Sequence, residues 1–247
     1  RLEPLDIDKI HFVVEEACEG LTGVSSSQIE INANIQFYDG ITTKDIQHVL
    51  VKSANDLITL ENPNYQYAAA RLLSYDVRKE AHGQYEYIPL LKLILRNIKL
   101  GVYDRTIIEK YHKSEIKKFN TWIKRDRDLE FTYAGLRQVV DKYLVQDRSS
   151  GEIYETPQDM YMMIAATLFA DYPKKTRMGY VKKYYDAISQ FKINIPTPVM
   201  SGVRTPIRQF ASCVLVDSDD TLSSIFSSDM AIGLYVARRA GIGINAG

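Results

Sequence analysis

The sequence predicts a mainly α-helical protein that leads into the first strand and helix of an α/β unit. Apolar residues recur at helical spacing through most of the first 190 residues. After residue 193, proline-rich sequence precedes an alternating strand and a further helix. With 45% hydrophobic residues, the 247-residue chain is large enough for a substantial core and more than one domain.

Charge and cysteine content narrow the functional classes. The 31 basic and 31 acidic residues give zero formal net charge, so we expect no nucleic-acid or membrane-surface partner. No apolar run approaches the roughly 18 residues of a membrane span. Two widely separated cysteines and four scattered histidines predict neither a disulfide framework nor a metal site. A reducing, cytoplasmic setting is therefore expected.

Residues 1–85 are predicted to form a small helical domain. The segment "DIDKIHFVVEEACEGL" carries an apolar helical stripe, on which Cys18 is expected to be buried. Ser25 begins a second helix through a capping-box pattern, for which Gly40 is the expected stop. Thr42 begins a third helix in the same way, and Gly83 ends the fourth.

Residues 86–193 are predicted to be helical again. "PLLKLILRNIKLG" and "TRMGYVKKYYDAISQFKI" have apolar helical patterns, and Pro157 suits a first helical position. "RSSGEIYET" predicts a hairpin turn between two extended stretches. The methionine and aromatic stripes of "PQDMYMMIAATLFADY" are expected to lie in the core.

From residue 194 onward the sequence predicts an extended segment, a strand and a helix. "INIPTPVMSGVRTPIRQ" is expected to be extended. The alternation in "RQFASCVLVD" places Cys213 on one face of the strand and Ser212 on the other. Asp219 and Asp220 are expected to cap the helix that follows, and Gly241 to end it.

Two features leave alternatives open on the residues alone. Cys213 is either a small core residue, which the pattern favours, or a reactive thiol. "GIGINA" (Gly241–Ala246) fits the glycine pattern of a dinucleotide loop, but the required preceding strand and following helix are missing. These glycines instead either allow a close backbone approach or simply stop the helix.

The stretch "NIPTPVMSGVRTPIRQFASCVLV", followed by "RRAGIGINAG", resembles the start of the catalytic barrel in the large (alpha) subunit of class Ia ribonucleotide reductases. "DIDKIHFVVEEACEGL", "NYQYAAARLL" and "RKEAHGQYE" resemble that subunit's ATP-cone and the helical region after it. The resemblance covers essentially the whole chain. It implies an ATP-cone at residues 1–85, a helical domain at 86–193 and the start of a ten-stranded α/β barrel at 194–247.

The resemblance also implies residue roles. The family reduces the 2′-hydroxyl of ribonucleoside diphosphates by radical chemistry, with a cysteine pair as the reductant, and Cys213 matches one member of that pair. The matching substrate positions are Thr197, Ser212, Cys213, Ala240 and Gly241. The matching effector positions of the specificity site are Asp220, Thr221 and Leu222. In the cone, the matching nucleotide positions are Glu3, Asp6, Lys9, Thr43 and Lys79.

Several partners follow from the same resemblance. They are a small beta subunit carrying a diiron-tyrosyl radical, an alpha–alpha homodimer using the Leu222–Arg239 helix, a thioredoxin- or glutaredoxin-type reductant, and ATP or deoxynucleotide effectors. The second reducing cysteine and the radical residues of the family fall beyond Gly247. We therefore expect an N-terminal portion, either excised or one half of a split subunit, that is inactive without the missing C-terminal part.

The chain also departs from the family pattern. The opening strand and basic turn of the cone are absent before Arg1, and Gln47 replaces a histidine that is common in bacterial relatives. The alternative function is a non-catalytic regulatory module built on the cone, or an assembly partner.

Overall fold

The computed structural model describes residues 3–207, 210–211, 213–238 and 241–246. These residues form two compact units. The first contains the described residues up to Ile88 together with Lys124–Gln158, and the second contains Pro89–Ile123 and the described residues from Asp159 onward. The predicted mainly helical class is confirmed.

Helices account for most of the secondary structure in both units. The helices are α1 (Ile7–Cys18), α2 (Ser26–Asn34), α3 (Thr43–Asp56), α4 (Tyr65–His82), α5 (Leu90–Lys99), α6 (Thr106–Lys110), α7 (Lys113–Trp122), α8 (Tyr133–Lys142), α9 (Pro157–Leu168), α10 (Lys174–Ser189), α11 (Thr197–Gly202) and α12 (Leu222–Ala237). A 3-10 helix spans Arg125–Glu130. The strands are β1 (Cys213–Ser218) and β2 (Gly241–Ala246). Within the described residues, no helix is both long and apolar enough to cross a membrane.

Helix α4 is the centre of the first unit. It packs against α1, α3 and α8. Ala68, Ala69 and Ala70 are fully buried, and their small side chains allow neighbouring helices to approach closely. Gly83, with a φ of 69°, ends α4 in the left-handed conformation that glycine adopts without strain, as predicted.

The predicted helix starts in this unit are confirmed, but one predicted stop is wrong. Ser25 and Thr42 accept hydrogen bonds from the backbone N–H groups of Gln28 and Asp45 and so cap α2 and α3. Helix α2 ends at Asn34, well before Gly40. The Gln36 side-chain amide donates a hydrogen bond to the Asn32 carbonyl at 3.0 Å. The backbone N–H of Gln36 donates to the Ala33 carbonyl, three residues back, which tightens the last turn.

The hairpin predicted in "RSSGEIYET" is confirmed. Gln146 and Ile153 form an antiparallel bridge, and the Asp147 N–H donates to the Glu152 carbonyl at 2.9 Å. Gly151 takes the positive φ of 77° that the turn requires.

In the second unit, the methionines of α9 lie in the core as predicted. Met160, Met162 and Met163 are buried. Arg177 on α10 is also buried, and its guanidinium bonds both carboxylate oxygens of Glu115 on α7 at 2.7–2.8 Å. This two-point ion pair joins α7 to α10.

The predicted extended segment around residues 193–209 contains an unexpected helix, α11. Pro198 lies in its first turn, where no backbone N–H is needed for the helix, so the proline that suggested an extended chain is compatible with the helix. The expectation of an entirely extended segment is therefore wrong.

The last elements form a strand–helix–strand unit. Strand β1 pairs with β2 in parallel, with Cys213 opposite Gly241 and Ser218 opposite Ala246, and α12 packs against both strands. Gly241 therefore begins a strand, and the prediction that it ends the preceding helix is wrong, because α12 already ends at Ala237. Arg239, the end of this helix implied by the family resemblance, lies outside the described residues.

The start of α12 also differs from the prediction. Its cap is Thr221, whose hydroxyl accepts the Ser224 N–H at 3.2 Å, and neither Asp219 nor Asp220 caps it. The alternation of β1 is confirmed: Val214 and Val216 are half-buried, whereas Cys213 and Leu215 are exposed.

Replacing Glu115 with alanine should lower the free energy of unfolding of the second unit by about 3–5 kcal/mol, because it leaves the buried Arg177 without its counter-charge. Denaturant unfolding followed by fluorescence of Trp122, which lies on the same helix, measures the change.

The matched control is Lys182→Ala, which removes the exposed pair between Lys182 and Asp186. That change should cost no more than about 0.5 kcal/mol. Equal losses in the two variants would contradict a structural role for the Arg177–Glu115 pair.

Candidate functional site

The thiol of Cys213 lies at the amino end of β1, directly beside the amino end of β2. Its register partner is Gly241, so the parallel pairing brings two predicted site residues together. Cys213 is exposed in the described chain and is not a core residue. Gly241 has no side chain that could cover the thiol.

The second glycine of "GIGINA" has a clear packing role. A Cβ atom on Gly243 would lie 3.0 Å from Cδ2 of Leu215 on the neighbouring strand. This short distance supports the interpretation that these glycines allow a close approach. Further along the pair, the Asn245 amide donates to the Asp217 carboxylate at 3.3 Å.

Asp220, Thr221 and Leu222 lie at the opposite end of β1, where the chain enters α12. All three are exposed. The carboxyl ends of parallel strands are the usual location of ligand sites in α/β units. Five strand steps separate Cys213 from Ser218, which corresponds to about 17 Å. The two predicted groups of residues are therefore at opposite ends of one strand.

Three further predicted positions are placed as follows. Thr197 is the exposed first residue of α11, and its carbonyl accepts the Ser201 hydroxyl at 2.9 Å. Ser212 and Ala240 lie outside the described residues.

Predicted nucleotide-binding residues meet at the start of α1. The Asp6 carboxylate accepts the Lys9 N–H at 3.2 Å and pairs with the Lys9 ammonium at 3.1 Å. The hydrogen bond with Lys9 lowers the pKa of Asp6, and the same contact raises the pKa of Lys9, to which Glu3 adds a smaller effect. Glu3, Asp6 and Lys9 therefore form one exposed charged group.

Thr43 and Lys79 lie on two helices that pack against each other. Thr43 begins α3, and Lys79 is in the last turn of α4; both are exposed. The Gln47 side chain lies between these two helices, because its amide donates a hydrogen bond to the Leu72 carbonyl of α4 at 2.7 Å.

Sequence reasoning missed a charged cluster next to Lys79. His48 Nε2 lies 3.6 Å from the Asp76 carboxylate. Burial raises the pKa of Asp76, although the nearby positive charges of His48, Lys44 and Lys79 oppose that rise. Lys44 and His48 are one helical turn apart on α3, as are Asp76 and Lys79 on α4. This spacing was the sequence pattern that could have predicted the cluster. Among the described residues, no group of three or more His, Cys, Asp or Glu side chains could hold a metal ion.

Helical architecture and charged helix ends in the first unit suit a nucleotide-binding cone, and the family comparisons agree. The model described as "ATP cone domain" matches residues 1–80, and the model described as "Ribonucleotide reductase, all-alpha domain" matches residues 129–208.

Comparison with whole proteins identifies the family more closely. The chain is 51% identical over 247 residues to the "Ribonucleoside-diphosphate reductase 1 subunit alpha" of Salmonella typhimurium, which covers 100% of this chain and 32% of that relative. It is 51% identical over 245 residues to the Escherichia coli protein of the same name, covering 99% of this chain and 32% of the relative. Identity to the alpha subunit of Enterobacteria phage T4 is 43% over 247 residues, again 99% of this chain and 32% of the relative.

The chain is thus similar over its whole length to ribonucleoside-diphosphate reductase alpha subunits, and the two domain models match separate parts of it. It spans about a third of the length of the curated relatives it matches.

One contact in the first unit should make the stability of the chain depend on pH. His11 on α1 bonds Glu30 on α2 at 2.8 Å and Glu15 at 3.1 Å. The Glu30 bond, followed by the charge of Glu15, raises the pKa of His11 above its ordinary 6.5. Its stabilising contribution should be complete below pH 6.5 and should disappear as the pH rises through the higher folded pKa.

NMR titration of the His11 imidazole should give a midpoint above 6.5, and Glu30→Gln should move it downward. The control is Glu109→Gln, which removes a carboxylate of the second unit and should leave the His11 midpoint in place. An unchanged His11 midpoint in the Glu30 variant would rule out this contact.

Proposed function

We propose that this chain is the nucleotide-regulated N-terminal part of a ribonucleoside-diphosphate reductase alpha subunit and supplies one side of its substrate site. The observation that carries this proposal is the parallel register that sets the exposed Cys213 beside Gly241. Identity of 51% to alpha subunits over the whole chain supports it. We further propose that residues 1–85 form the cone, that 86–193 form the helical domain and that β1, α12 and β2 begin the ten-stranded α/β barrel.

In this proposal Cys213 is one of two thiols that reduce the substrate. The two thiols lose two electrons and two protons and close a disulfide, while the ribose loses its 2′-hydroxyl as water and gains a hydrogen. The second thiol comes from the remainder of the alpha subunit. A small beta subunit supplies the radical, and a thioredoxin- or glutaredoxin-type protein of the reducing cytoplasm restores the dithiol.

The neighbouring residues position the ribonucleoside diphosphate in the same proposal. Thr197 exposes a hydroxyl that can donate to a phosphate. Ala240 and Gly241 leave room for the ribose because they are small, and Ser212 adds a polar contact next to Cys213 in the sequence.

The far end of β1 is proposed to bind the effector that selects the substrate. Asp220 exposes a carboxylate that can accept hydrogen bonds from a ribose, and Thr221 and Leu222 begin the adjacent helix. Strand β1 then links the effector end to the thiol end over about 17 Å.

In the cone, Lys9 and Lys79 are proposed to bind the phosphates of ATP or dATP, with Glu3, Asp6 and Thr43 contributing polar contacts. Each charge-assisted hydrogen bond to a phosphate is worth about 1.5–3 kcal/mol. Lys9 is already paired with Asp6, so a phosphate that binds Lys9 has to replace Asp6 in this exposed ion pair.

Replacing Lys79 with alanine should weaken ATP binding to the chain by about 10–100-fold, because a charged phosphate contact is lost. Isothermal titration calorimetry measures the change. The control is Lys52→Ala, which removes an exposed lysine of α3 that pairs with Asp56. Equal affinities in the Lys79 and Lys52 variants would contradict the cone assignment without touching the reductase assignment.

Cys213→Ser should abolish conversion of CDP to dCDP when the chain is assembled with the rest of an alpha subunit, the small subunit and a dithiol protein reductant. Quantifying dCDP by chromatography tests this. Cys18→Ser is the control: burial raises the pKa of Cys18 to about 11, so this thiol stays protonated, and its loss should leave turnover in place. Full activity of the Cys213 variant would overturn the proposed role.

We also propose that α12 forms the alpha–alpha dimer contact. Leu222, Phe226, Met230 and Leu234 recur every four residues and are 60–72% exposed, which makes one apolar stripe. A matching stripe from a second copy would bury it.

Phe226→Asp should shift the dimer–monomer equilibrium of the assembled alpha subunit toward the monomer by at least tenfold, because it places a charge in the apolar contact. Sedimentation velocity measures the shift, with Asp229→Ala as the control on the same helix. If the two variants have the same dimer–monomer equilibrium as each other, α12 does not form the dimer contact.

A further inference from the structure

A groove on the second unit lies outside all the sites described above. It has a volume of about 680 Å³ and is lined by residues of α5 and α7 and by Pro89, just before α5. Leu91 and Leu95, one turn apart on α5, supply apolar surface, and the Leu95 side chain is 46% exposed. An exposed leucine in a concave apolar surface is typical of a binding groove.

Positive charge reaches this groove from both helices. Lys92, Arg96 and Lys99 follow one another along α5 at helical spacing, and Lys117 projects from α7. Among the residues that the structure describes, no carboxylate lines the groove. Within the described chain, Lys92, Lys99 and Lys117 have no ion-pair partner.

Three lysines on other helices do have ion-pair partners. Lys52, Lys110 and Lys182 each pair with an aspartate at 2.5–2.9 Å. The charges beside the groove are therefore available to a partner, which must be acidic where it lies against them.

Spacing distinguishes between possible acidic partners. Lys92 and Lys99 are seven residues apart on one helix, which corresponds to about 10.5 Å along its axis. A single anionic head group cannot reach charges spread over that length. A helix with acidic side chains repeated every three or four residues matches the spacing, and its apolar face can cover Leu91 and Leu95.

We propose that this groove binds an acidic amphipathic helix of a partner protein, with leucine-type side chains against Leu91 and Leu95 and glutamates or aspartates beside Lys92, Lys99 and Lys117. The inference rests on the second unit alone and does not depend on the proposed reductase function.

The test uses the 247-residue chain and a dye-labelled synthetic helical peptide with leucines on one face flanked by glutamates. A peptide of the same composition in scrambled order is the control, because it keeps the charge and loses the apolar stripe. Fluorescence anisotropy should show at least tenfold tighter binding of the patterned peptide, and its affinity should fall as salt increases.

Variants of the chain locate the binding. Leu95→Glu and Lys117→Glu should each weaken binding of the patterned peptide at least fivefold, and Lys52→Glu, on α3 of the first unit, should leave it unchanged. Circular dichroism and Trp122 fluorescence establish that each variant is folded. Because both groove positions are exposed, the two variants should fold normally.

Equal affinities for the patterned and scrambled peptides would overturn the proposal, as would equal affinities of the groove variants and the original chain. A further arm uses vesicles containing phosphatidylglycerol. If these bind the chain through Leu95 and Lys117 while the patterned peptide does not, the groove recognises a lipid surface and the proposal is wrong.

Discussion

Parallel pairing of β1 with β2 is the constraint on which the candidate site depends. Two parallel strands cannot be joined by a tight turn, so the chain must cross over between them through an element such as α12. The register of this parallel pair sets Cys213 beside Gly241. A side chain at Gly243 would lie close to the exposed Leu215 side chain, which would have to shift by a few tenths of an ångström. The thiol is therefore positioned by strand pairing, far along the chain from the glycine it adjoins.

This unit also leaves apolar surface exposed within the described chain. Leu215 is 86% exposed and Ile244 is 56% exposed, one on each strand, and the apolar stripe of α12 adds to them. Surfaces of this kind are normally covered by further elements or by another chain. The chain covers about a third of its relatives' length, and the proposed barrel and dimer would account for both surfaces. The first unit is different, because α4 already buries its alanines against three neighbouring helices.

Local signals in the sequence were sufficient for most helices. Ser25 and Thr42 cap the helices they were expected to cap, and Gly83 ends α4, because a cap depends on residues only three or four positions away. Predictions failed where a distant partner or a competing local bond decides the outcome. Gly241 was assigned to a helix end because its pairing with Cys213 lies 28 residues away in the sequence. The glycine pattern predicts a stop at Gly40, but α2 ends at Asn34, where the Gln36 N–H bonds the Ala33 carbonyl. The cluster of Lys44, His48 and Asp76 was missed because it forms only when α3 packs on α4.

The register of the two strands is the most direct test of the central claim that strand pairing builds this side of the site. Backbone NOEs in the isotopically labelled chain measure it. The account predicts contacts between Val214 and Ile242 and between Val216 and Ile244, together with slow amide exchange in the pair. A register shifted by one or two residues would move Gly241 away from Cys213 and would contradict the account, as would the absence of any contact between the strands.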